Sequence, residues 1–181
     1  MEIRDLTRED EERLVRRLYD GAVELRPEVG FIPLIAVLVA GVDAADGEFV
    51  MGSLPAFVQG SAANAAAVIR HALRTVDPSP RVVVVVSECW GIRSRNVVEA
   101  SAVSAHLAAG IPLRELDGAY ESVRFTIERF DGTSTTWEAP VTEEVIGELS
   151  RIKDGRIGGA LANLFGTAPM RRHAPSRVAD A

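Results

Sequence analysis

The sequence predicts an α+β domain, a largely antiparallel five-stranded sheet with helices packed on it, in the order α-β-β-α-β-(α)-β-β-α. Arg81–Trp90, RVVVVVSECW, carries five consecutive valines between Pro80 and Gly91, the strongest strand signal in the chain. A continuous apolar run of this kind fits a central strand covered on both faces. Glu121–Ala139 alternates apolar and polar residues about Asp131-Gly132, the pattern of a hairpin with one wet face. Ala62–Val76 is rich in alanine, with Ala65, Val68, Ile69, Ala72, Leu73 and Val76 along one helical stripe.

The elements follow in order. Thr7 and Asp10 form a capping box at the start of the first helix, and Glu9–Glu12 complement its dipole. Leu14, Val15, Leu18, Ala22 and Val23 give that helix an apolar face, and Pro27 is expected to end it. Pro33–Ala40 reads as a buried strand, Gly41–Gly47 as a turn with Asp43 and Asp46, and Glu48–Leu54 as the returning strand. Ser61 caps the alanine-rich helix, which Asp77-Pro78 stops just before the valine strand. Gly91–Asn96 reads as a polar loop. Val97–Ala109 reads as a further helix capped by Asn96, with Val98, Ala102, Ala105 and Leu107 along one side. In the hairpin, Asp131-Gly132 favours the mirror-image two-residue turn. Pro140 ends its second strand. Thr142 is expected to cap a last helix, Glu143–Ser150, docked by Val145, Ile146 and Leu149.

A chain of 181 residues suits one domain, residues 1–165, followed by a poorly ordered basic tail, residues 166–181. The net charge of −6 is unevenly spread. Residues 1–150 hold 14 arginines against 24 acidic residues, whereas residues 151–181 are net +4. So acidic a body disfavours a duplex-binding face and specific nucleic-acid recognition. The tail holds Arg171, Arg172, His173 and Arg177 with no aromatic among them, so it offers weak, non-specific contact at most. Cys89 is the single cysteine, which excludes an intramolecular disulfide and a four-thiolate zinc site, and a reducing cytoplasm is the expected compartment. No apolar stretch is long enough to span a bilayer, so no membrane association is expected.

Candidate chemistry gathers where the valine strand turns polar. Cys89 as a nucleophile needs a base and an acid; His71 or His106 with Glu88 would complete that set and make a small hydrolase or transferase. Against this, a lone cysteine beside five valines also suits a small buried hydrophobe. Strand alternation puts Glu88 and Trp90 on one face and Ser87 and Cys89 on the other. Glu88 and Trp90 together would line a small-ligand pocket, as in a sensor. Alternatively, Glu88 pairs with Arg93, Arg95 or Arg124 and Trp90 caps the core. His71, His106 and His173 lack metal-ligand spacing, and no phosphate loop or nucleophile elbow occurs, so neither a metal nor a cofactor is expected.

The element order is similar to profilin-like modules of the roadblock type. The residues Ser87, Glu88 and Trp90, with Asp131 and Gly132 in a later hairpin, resemble a group of uncharacterised small bacterial and phage proteins. In those a strand ends Ser-Glu-x-Trp and a charged hairpin with a central Asp-Gly follows. An accessory role is consistent with that resemblance, which brings no catalytic residue with it. The reading that fits these signals is a cytoplasmic protein–protein interaction module, homo-oligomeric, with the hairpin's wet face, the first helix or a sheet edge as its surface.

Overall fold

A computed structural model describes residues 2–55, 62–92, 97–152 and 164–165. The expected cap residues Ser61 and Asn96, the loop at 93–96 and the basic tail lie outside the described residues.

A short strand, β1 (Ile3–Arg4), precedes helix α1 (Arg8–Val29). The predicted capping box is present: Asp10 N–H donates to Thr7 Oγ1 at 3.2 Å, and Thr7 N–H donates to Asp10 Oδ2 at 2.9 Å. Pro27 does not end the helix. It lies in the last turn, where its ring removes only the bond to the carbonyl of the exposed residue Val23. Gly30 ends the helix instead, at φ 80°, a left-handed conformation that glycine adopts without penalty.

Next come β2 (Ile35–Asp43), β3 (Phe49–Pro55), α2 (Ala62–Thr75) and β4 (Val82–Ile92), which runs two residues past Trp90. Helix α3 (Val97–Ala108) and a 3-10 turn at Leu113–Glu115 lead to β5 (Ala119–Arg129) and β6 (Ser134–Thr142). Two short strands follow, β7 (Val145–Ile146) and β8 (Ser150–Ile152). Among the described residues every strand pair is antiparallel. The main path is β3-β2-β4-β5-β6; β1 adds to the far end of β2, and β7 and β8 line the outer side of β6.

The mixed α+β class holds, but among the described residues the sheet has eight strands rather than five, and Glu143–Ser150 does not form the last predicted helix. Val145, Ile146 and Leu149 fit a helical stripe, yet Glu143 and Glu144 adopt φ 49° and 67°. Two consecutive left-handed residues make a tight mirror-image turn, which folds the chain back onto β6 and buries Ile146. The turn at Asp131-Gly132, by contrast, is not of that type. Only Gly132 has positive φ, Gly132 N–H donates to Arg129 O at 2.9 Å, and Arg129 N–H donates to Thr133 O at 2.9 Å. These bonds close a three-residue loop with a glycine bulge.

The valine run is buried on both faces. Val82, Val84 and Val86 join Phe125, Ile127, Val37 and Val39 beneath Leu14 and Val15 of α1. Val83 and Val85 join Ala36 and Leu38 beneath Ala66, Ile69 and Leu73 of α2, with Leu164 closing the cluster. This second face is apolar only over β2 and β4. Across β5 and β6 it becomes polar, yet Glu128, Thr136 and Glu138 are buried there, so the hairpin's expected wet face is largely covered.

Helix α3 is largely exposed. Its predicted apolar side does not dock: Val98 is 78% exposed, and between Ser101 and Ala109 only Val103 is even half-buried. Among the described residues no helix is long and apolar enough to cross a membrane.

Candidate functional site

Alternation along β4 splits its polar end into two clusters. Toward α1, Glu88 lies opposite Val123 of β5, with its side chain only 9% exposed. Arg26 reaches it from the last turn of α1, Nε donating to Glu88 Oε2 at 3.1 Å, and is itself 7% exposed. Ile32 N–H donates to the same oxygen at 3.0 Å. The partner is therefore not Arg124 but a helix residue 62 positions upstream, and Arg93 and Arg95 lie outside the described residues. Arg26 Nη1 also donates to the carbonyl of Glu144, which ties α1 to the left-handed turn. Burial pushes the Glu88 carboxyl up, but the Arg26 guanidinium, Ile32 N–H and a hydrogen bond with Glu121 outweigh it, and the carboxyl lies below its usual range. Glu121 moves the opposite way, raised by burial and by the neighbouring Glu88 carboxylate. The two titrate as a coupled pair, in which Glu88 loses its proton first. Trp90, opposite Glu121, is 41% exposed and does not cap the core.

On the other face, Cys89 lies opposite Ser122, with Sγ 3.9 Å from Ser122 Oγ. Ser122 Oγ donates to Glu138 Oε1 at 2.9 Å, Arg124 Nε donates to the same oxygen at 3.0 Å, and Tyr120 OH at 3.0 Å. Burial raises the Glu138 pKa, and these three donors more than reverse the effect, leaving the carboxylate ionised. Gly91 makes room for the network: a Cβ there would meet Arg124 Nη2 at 2.6 Å and the Tyr120 ring at 3.0 Å. Burial pushes the Cys89 thiol up, and the Arg124 guanidinium offsets only part of that shift.

The thiol, imidazole and carboxyl groups thus lie apart. Glu88 and Cys89 point to opposite faces, His71 is exposed on α2, and His106 Nδ1 is bonded at 2.9 Å to Ala102 O of its own helix. Among the described residues no group of three metal-ligating side chains occurs. The residues that sequence reasoning missed are Arg26, Tyr120, Ser122 and Glu138. A signal for the last three was present, since Arg124 and Glu138 are opposite charges on the same hairpin face.

Two cavities lie at the other end of the sheet. The larger, about 570 Å³, is lined by Leu6, Pro80, Arg81, Val82, Arg129 and Phe130 among others. A second of about 270 Å³ shares Leu6, Glu11 and Arg129 with it. Glu88 and Trp90 line neither.

Compared with protein-family models, curated proteins and solved structures, the chain matches none.

Proposed function

We propose that this chain is a cytoplasmic interaction module that self-associates through α3. The exposed apolar surface of that helix carries the reading. Residues 97–109 hold one acidic group, Glu99, one histidine, His106, and no lysine or arginine. Two bodies of net charge −10 repel, so contact between copies costs least where charge is sparse. Ala102, Ala105 and Ala109 lie along one side of this segment, where small side chains let a second helix approach closely. A pair of such short helices buries less than a standard interface, so the association is of the weak, reversible class. An accessory role is consistent with the resemblance of Ser87, Glu88, Trp90, Asp131 and Gly132 to small bacterial and phage proteins.

Light scattering after gel filtration, across a hundredfold range of loading concentration, tests the reading. The wild-type chain should pass from monomer to dimer. Val98→Glu and Ala105→Glu, both at exposed positions on that side of α3, should hold it monomeric with an unchanged melting temperature. A wild-type monomer at every concentration, or dimers undisturbed by both substitutions, would overturn it.

A further inference from the structure

We propose that the paired cavities beneath the N-terminus of α1 form a binding site for a small organic acid with an apolar body, such as a medium-chain or aryl carboxylate. The larger cavity, at about 570 Å³, falls in the usual range for small-molecule pockets. Leu6, Pro80, Val82 and Phe130 give it apolar walls, and Phe130 is 61% exposed at its mouth. Its two arginines are already paired, and its remaining charge, Asp131, is an acid that accepts from Thr133. Arg129 Nε and Nη2 donate to the two carboxylate oxygens of Glu11 at 2.6 and 2.5 Å, and Arg81 Nη1 donates to Asp5 at 2.5 Å. An apolar body therefore fits this chamber better than a second charge.

The smaller chamber is different in kind. Arg8, Arg129 and Arg151 face Glu11 and Glu12 around it, an excess of one positive charge. Arg8 pairs with Glu12 at 3.1 Å and Arg129 with Glu11, whereas Arg151 has no ion-pair partner among the described residues. Trp137 also lines this chamber, and its buried Nε1–H has no hydrogen-bond partner among the described residues. A free guanidinium beside an unused donor is the complement of a carboxylate. Leu6, Glu11 and Arg129 line both chambers, which are therefore adjacent, so one ligand lying across these residues would place its chain in one and its head in the other. None of these residues belongs to α3, so the site and self-association fail or hold independently.

Decanoate, decan-1-ol and decylamine, titrated against the full chain carrying Trp90→Phe so that Trp137 reports alone, test the proposal. Decanoate should bind saturably and roughly fivefold tighter than the alcohol, the yield of one partly exposed ion pair. Arg151→Glu and the milder Arg151→Gln should bring decanoate to the alcohol's affinity while leaving the alcohol unchanged. Phe130→Ser should weaken both. Absence of saturable binding, an alcohol or amine that binds as tightly as the acid, or decanoate affinity indifferent to both Arg151 variants would overturn the assignment.

Discussion

Replacing Arg26 by methionine should be the most damaging single change that leaves the apolar core intact. The guanidinium is buried, and it satisfies both Glu88 and the carbonyl of Glu144. Without it Glu88 loses its cation and keeps Ile32 N–H, with the Glu121 carboxyl beside it. Stranding one member of a buried ion pair costs about 3–5 kcal/mol, a large share of the roughly 5–15 kcal/mol that holds a domain together. Glu88→Gln should cost less, about 1–3 kcal/mol, because an amide oxygen still accepts from Ile32 and the stranded arginine keeps its carbonyl. In the Arg26→Met background, however, Glu88→Gln should be stabilising, since it removes the uncompensated charge. Urea unfolding followed by circular dichroism at neutral pH, with equal m-values for all four chains, measures the cycle. An Arg26→Met cost below about 1 kcal/mol, or strict additivity of the two substitutions, would refute the view that this pair is buried and coupled.

Three further outcomes follow from the same geometry. Glu143→Asn with Glu144→Gly should stabilise the chain by about 1 kcal/mol in thermal melts, because both positions are left-handed and the Arg26 contact is to backbone. The depressed carboxyls of Asp10, Glu88, Asp131 and Glu138 contribute stability that is present above roughly pH 4.5 and lost as pH falls. The raised Glu121 works oppositely: its contribution is full below its unfolded pKa and fades as pH rises through its folded one, so Glu121→Gln should flatten stability on the alkaline side of the optimum in urea titrations at stepped pH. Cys89 should alkylate with iodoacetamide far more slowly in the folded chain than in urea at pH 7, with the difference shrinking as pH rises toward the raised thiol pKa.

Local signals were the ones the sequence displayed. Thr7 with Asp10, the valine run and the β5–β6 alternation each depend on neighbours a few residues away, and each appears where expected. Glu143–Ser150 misled because Val145, Ile146 and Leu149 suit a helix locally, while the strand outcome depends on two glutamates in left-handed conformations and on a contact from α1. The Arg26–Glu88 pair was invisible for the same reason: nothing near either residue marks a partner on another element. The exposed state of α3 was also hidden, because an apolar stripe records only that a side wants cover, not whether this chain supplies it.

Identical valines cannot tell one alignment of β4 from its neighbours. Shifting the strand by a residue or two against β2 and β5 would exchange valine for valine across most of the interior, so hydrophobic burial there hardly distinguishes the alternatives. Only Glu88 against Arg26, Cys89 against Ser122, and the bare Gly91 beneath Arg124 and Tyr120 break the degeneracy. The polar end of the strand thus works as an alignment key for the whole sheet, and substitutions there should first appear as misthreaded, aggregation-prone chains.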